Sequence, residues 1–360
     1  MTLKLMPDMF AFILSAFAIA AVVCLALARL APSLHLLDVP DERKRHDNAI
    51  PVVGGISVIA AFLIAGICSG YQLPKEALLP SLVLFLVGVV DDMFGLRASL
   101  KLVAQVLAAW SLVNLTHAGL FSIPVPFVHS HWVLGTLATP VSVLMVVALL
   151  NAINMIDGLD GLAGGCLAIA AAGLGYAAYM VGQPNLAATA WALCAAVLGF
   201  LLWNARLPWQ ARARVFLGDA GALGVGMLLC WLVFKLSLTP GAGERVPVTV
   251  AVAPLAVPMI DMVVVAFWRM FERRNPMRAD RGHSHHLLLE IGLPSTTAVR
   301  LIWLASALVM CATFVAWRLG VAEGRLLGVL LLCSAVHMVW FRRSWLALRR
   351  RSPVASRERT

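Results

Sequence analysis

Eleven apolar runs of roughly twenty residues dominate this chain, at 9–31, 52–70, 76–93, 99–116, 131–153, 162–182, 186–204, 221–239, 247–269, 299–319 and 322–341. Each is about as long as the stretch of α-helix, rising ~1.5 Å per residue, that crosses a hydrocarbon core of about 30 Å. Backbone in lipid must satisfy its own hydrogen bonds, so the pattern predicts an all-α, polytopic integral membrane protein of about eleven transmembrane helices. Composition agrees: 61% of the residues are hydrophobic and 13% charged, which excludes a soluble globule. No small-residue cleavage site follows the first run, and Pro40-Asp41-Glu42-Arg43-Lys44-Arg45 comes after it, so it reads as a retained helix. The expected organisation is a single transmembrane domain over 1–341 and a basic tail over 342–360.

Of the 28 Lys and Arg residues, 22 fall in the odd-numbered loops and the C-terminal segment, and five at the N-terminus and in the even loops. Cytoplasmic loops retain such residues, so the N-terminus is expected outside and the C-terminus in the cytoplasm. Lys235, inside the eighth run, reads as a snorkelling side chain near an outer helix end. The net charge of +10 does not call for nucleic acid, because the positive residues lie in short loops and a juxtamembrane segment. Anionic lipid headgroups are the simpler partner for Arg342, Arg343 and Arg349 to Arg351. The seven cysteines lie within or beside apolar runs without metal-ligand pairing, and imply no disulfide framework.

The polar chemistry collects in the odd, inward-facing loops. The first carries Asp38, Asp41, Glu42, Arg43, Lys44 and His46, then Pro51-Val52-Val53-Gly54-Gly55, where adjacent glycines suit close backbone approach. The third opens with Asp91-Asp92; neighbouring carboxylates at a membrane boundary repel and cost desolvation, which points to Mg²⁺ ligation or proton transfer. In the fifth, Asn151, Asn154, Asp157 and Asp160 recur every three residues, a stripe of oxygen ligands that interleaved glycines bend into a loop. The seventh ends in Phe216-Leu217-Gly218-Asp219, adding a further metal-ligand candidate. Asp261 lies about two turns inside the ninth run, where a carboxylate has a functional or paired role. The ninth loop holds Asp280-Arg281-Gly282-His283-Ser284-His285-His286; Arg and His beside these acids suit a phosphate-rich anion better than zinc. A metal-binding acid cluster beside a basic loop is equipped for phosphoryl transfer involving a lipid. A transporter would place its polar site near the midplane, often in two related halves, and no internal repeat is present. A scaffold would leave the acids unexplained.

Taken together, Pro51 to Gly55, Asp91-Asp92, Asn151 to Gly161, Phe216 to Asp219 and Asp280 to His286 resemble the motifs of the polyprenyl-phosphate N-acetylhexosamine-1-phosphate transferase superfamily, of glycosyltransferase family 4. The first loop and the Asp-Arg-x-His-x-His-His element are similar to its WecA/TagO-type branch. The resemblance implies transfer of GlcNAc-1-phosphate from UDP-GlcNAc to undecaprenyl phosphate, with release of UMP, as the first membrane step of cell-surface polysaccharide synthesis. Ser284 stands where a bulky aliphatic residue is more usual, and related enzymes take UDP-linked FucNAc, QuiNAc or GalNAc. It further implies Mg²⁺, or Mn²⁺ in its place, on Asp219, with Asp91 and Asp92 ligating or deprotonating the lipid phosphate. Asn151, Asn154, Asp157 and Asp160 are then expected to hold the nucleotide sugar and metal. Arg281, His283, His285 and His286 would grip the pyrophosphate, and Arg43, Lys44 and His46 the lipid phosphate. The implied setting is the bacterial inner membrane, with the active site on the cytoplasmic face and a homodimer among the assemblies the family allows.

Overall fold

The computed structural model describes residues 2–38, 49–238, 245–274 and 282–351. Its helices are α1 (Thr2–Leu30), α2 (Gly54–Cys68), α3 (Lys75–Phe94), α4 (Ala98–Thr116), α5 (Ala138–Ile156), α6 (Leu162–Met180), α7 (Pro184–Asn204), α8 (Gly218–Ser237), α9 (Val248–Val252), α10 (Ala256–Phe271), α11 (Ser284–Glu290), α12 (Ser295–Arg318) and α13 (Glu323–Arg351). Among the described residues, ten helical segments are long and apolar enough to cross a membrane, one of them α9 and α10 joined through a 3-10 turn at Ala253–Leu255. Pro254 and Pro258 withhold backbone donors there, which breaks the regular helix. α2 is apolar but only 15 residues long. The protein is therefore all-α and polytopic.

Two further apolar runs differ from their helices. The run at 131–153 starts in a strand, β4 (His131–Val133), antiparallel to β3 (Ser122–Pro124), and its helix begins later and continues to Ile156. The run ending at 341 continues as helix to Arg351. Hydropathy follows contact with lipid, whereas helical hydrogen bonding extends past the lipid into charged sequence.

α8 is the hub: 94% of its span is buried, against 22% for α1 and for α13. It packs on α3, α2, α5 and α6. Between helices in lipid the association comes from close packing, so small residues concentrate at the crossings. The tightest crossing fixes the starts of α2 and α8. Gly54 and Gly55 donate N–H to the carbonyls of Phe216 and Leu217 at 2.9 and 2.8 Å, while Phe216 N–H reaches Pro51 O at 2.8 Å. A Cβ on Gly55 would collide with the Gly221 backbone. A short pairing of β1 (Leu37–Asp38) with β2 (Ile50–Pro51) leads into this ladder. Near the opposite ends of the spans, Lys235 Nζ lies 3.1 Å from Glu76 Oε1, so the expected snorkelling side chain is ion-paired and ties α8 to α3.

Candidate active site

Four helix ends converge beside the α2–α8 ladder. Asp91 and Asp92 close α3, Lys101 sits in the first turn of α4, Asn154 lies near the end of α5, and Asp219 begins α8. Lys101 Nζ lies 2.8 Å from Asp91 Oδ2 and 2.6 Å from Asp219 Oδ2. Asn154 Nδ2 donates to the other Asp219 oxygen at 2.8 Å. Asp92 is used differently: its two oxygens accept the backbone N–H groups of Asp219 and Ala220 at 2.8 and 3.0 Å, capping α8 from a neighbouring helix. The approach is close enough to require Gly218, whose φ of 75° is left-handed and whose Cβ would meet the Asp92 carboxylate.

The stripe of oxygens expected from Asn151 to Asp160 is divided, because α5 ends at Ile156. Asn151 Nδ2 donates to Gln105 Oε1 at 2.7 Å. Asp157 follows the helix end with one side open to solvent. Crowding by protein on its other sides, then the charges of Asp219 and Asp160, push its carboxyl up to about 7. Asp160 accepts from Arg206 Nε at 2.7 Å and from Ala213 N–H at 3.2 Å. Asn204 steadies this loop by accepting Gly161 N–H and donating to Val215 O, each at 2.9 Å.

The histidines approach from the side of α10. Asp261 gains a partner here: His283 Nδ1 lies 2.7 Å from Asp261 Oδ2, and Ser284 N–H donates to Oδ1 at 2.8 Å. Asp261 thus fixes the start of α11. His283 and His285 are buried and stacked with centroids 5.7 Å apart, while His286 is half-buried. His285 packs on Gly158 so closely that a Cβ there would fall on its ring, which joins the histidine helix to the Asp157 turn. A cavity of about 280 Å³ beside this junction is bounded by Ile156, Asp261, Ser284, His285, His337 and Trp340.

Of the residues expected at the site, Asp91, Asp92, Asn154, Asp157 and Asp219 gather closely, His283, His285 and His286 adjoin them through Gly158, and Asn151 and Asp160 face partners of their own. Arg43, Lys44, His46, Asp280 and Arg281 lie outside the described residues. Sequence reading missed Lys101, Gln105 and Arg206. For the first two a signal existed: a Lys and a Gln one turn apart share a face of a mostly apolar helix beginning next to two acids. For metal, carboxylate oxygens are hard donors, and one cation, the Lys101 ammonium, already sits between Asp91 and Asp219. Among the described residues no three His, Cys, Asp or Glu side chains form a metal-binding group. The donor set at this centre is carboxylate oxygen, the kind that hard divalent ions such as Mg²⁺ take.

The fold and site together define a polytopic membrane protein with a carboxylate and lysine centre and an adjoining histidine helix at one end of its spans. Residues 76–237 match the family model for glycosyl transferase family 4. An undecaprenyl-phosphate alpha-N-acetylglucosaminyl 1-phosphate transferase of Yersinia pestis is 32% identical over 320 residues, 88% of this chain and 87% of its own. Proteins of the same name from Escherichia coli K12 and Haemophilus influenzae are 31% and 33% identical, covering 88% and 82% of this chain and 86% and 82% of theirs. The chain belongs to glycosyl transferase family 4.

Proposed function

We propose that this protein transfers GlcNAc-1-phosphate from UDP-GlcNAc to undecaprenyl phosphate, yielding undecaprenyl-diphosphate-GlcNAc and UMP. The observation that carries the reading is the meeting of the carboxylate centre with the histidine helix at the Gly158–His285 contact, in a chain whose relatives bear that activity in their names. The lipid phosphate oxygen attacks the β-phosphorus, and the bond from that phosphorus to the bridging oxygen of UMP breaks. His285 and His286 would face the diphosphate, while Asn154 and Lys101 orient Asp219. Mg²⁺ held by Asp219 and Asp91 would neutralise charge on the transferred phosphoryl group. Asp157 would accept a proton from the lipid phosphate.

In this reading eleven spans, α2 included, set the N-terminus outside and the site on the cytoplasmic face of a bacterial inner membrane. Residues 1–341 form one transferase domain, and 342–360 supply positive charge at the lipid surface. The test is purified protein incubated with undecaprenyl phosphate, Mg²⁺ and each of UDP-GlcNAc, UDP-GalNAc and a UDP-linked 6-deoxy-amino sugar. UMP release with UDP-GlcNAc, abolished in Asp219→Asn, supports the proposal; release with another sugar alone moves the donor, and none with any returns a transporter to consideration.

A further inference from the structure

α13 lies outside the stretch that the family model matches, yet it reaches the site. Ser284 Oγ, on the first residue of α11, lies 3.1 Å from His337 Nε2. The His337 ring is held in turn by Trp340 and Phe341, with centroids 5.6 and 6.1 Å away. The same serine gives its backbone N–H to Asp261, so one residue of α11 is gripped from α10 and from α13. It stands between His283 and His285, and the latter touches the Asp157 turn. A serine makes the grip possible, because an aliphatic side chain at 284 has no atom to offer the imidazole.

We propose that His337 is a positioning residue for the diphosphate-binding end of the site, acting through Ser284 to hold α11 in register with Asp261 and Gly158. It does not touch substrate. Its removal lets the first turn of α11 shift, so His285 and His286 meet the anion less well. The effect falls on donor binding more than on the chemical step, and the hydrogen bond is shared, so losing either partner has the same consequence as losing both. The inference rests on the transferase reading and deepens it.

Steady-state UMP release is measured on His337→Phe, His337→Gln, Ser284→Ala and the double variant Ser284→Ala/His337→Phe. His337→Phe keeps a ring for Trp340 and Phe341 but offers no hydrogen bond. The expected result is a rise of about fivefold in KM for UDP-GlcNAc with kcat nearly unchanged in His337→Phe and in Ser284→Ala, no further rise in the double variant, and recovery in His337→Gln. Unchanged KM in the single variants, or effects that multiply in the double, overturns the proposal. Hydrogen exchange over 283–290 is read on the same proteins and does not depend on turnover. Equal loosening in His337→Phe and Ser284→Ala supports the brace even if the wild type releases no UMP and the transferase reading fails, and unchanged exchange overturns it.

Discussion

Lys101 Nζ lies 2.6 Å from Asp219 Oδ2, and the same ammonium is 2.8 Å from Asp91, so one cation on α4 holds together acids from α3 and α8. Without it the two carboxylates repel, and a divalent ion between them would offset that repulsion in its place. Lys101→Met is expected to lower UMP release by at least about 100-fold. It should also lower the Mg²⁺ concentration for half-maximal thermal stabilisation by roughly tenfold, or ~1.4 kcal/mol. Turnover near wild type, or an unchanged Mg²⁺ response, would show that the ammonium is incidental.

Asp92 and Asp219 separate stability from activity. Asp92 spends both oxygens on the N–H groups that open α8, so Asp92→Ala leaves two donors unsatisfied at the boundary of the buried hub. A cost of about 1–2 kcal/mol is expected, seen as a lower melting temperature in detergent, with Asp92→Asn partly restored. Asp219→Asn keeps an acceptor for Asn154 and should melt near wild type while losing turnover. If Asp92→Ala melts as wild type does, the cap is not worth what its geometry suggests.

The spans were legible because crossing lipid demands about twenty apolar residues in a row, a signal few other folds produce. Their ends were not: Trp132 and Val133 are apolar enough to extend a helical run, yet they belong to a hairpin whose backbone pairs with Ser122 to Pro124. The candidate acids and histidines stood out as polar residues at membrane boundaries. Their sorting did not, since a three-residue spacing cannot show that α5 stops at Ile156, turning Asn151 to Gln105 and Asp160 to Arg206. Lys101 and Arg206 were absorbed into a count of positive residues that reports only which side of the membrane a loop occupies. The partner of Asp261 lies 22 residues further along the chain, and only the tertiary contact between α10 and the start of α11 shows that it is His283.

The α2–α8 ladder makes a packing prediction. Gly55→Ala puts a methyl group onto the Gly221 backbone, where no flexible side chain can yield, so the helix starts must separate. The expected cost is about 1–3 kcal/mol, with lower yield of folded protein and weakened turnover, because the same ladder sets Asp219. Gly70→Ala is no control, since its φ of 68° strains any side chain; Ala60→Val, on the same helix at a half-buried position, is. Gly55→Ala behaving like Ala60→Val would mean that the crossing tolerates separation.

Asp157 gives a pH dependence whose sign is fixed by its environment. Its carboxyl is raised from 3.8 to about 7 in the folded protein by crowding and by the charges of Asp219 and Asp160. Between those values the folded state keeps a proton that the unfolded chain has released, so stability falls as pH rises through this window, and the loss is complete above about 7. Asp157→Asn carries no such proton. In detergent without divalent ions, the melting temperature of the variant minus that of the wild type should therefore widen from about pH 5 to about pH 7 and level off by about pH 8. Solvent reaches one side of the carboxyl, so the widening should be smaller than a fully enclosed acid would give. Added Mg²⁺ should narrow the gap by offsetting the negative charge around Asp219. A gap that stays constant with pH would place Asp157 in ordinary solvent and remove it as the proton acceptor for the lipid phosphate.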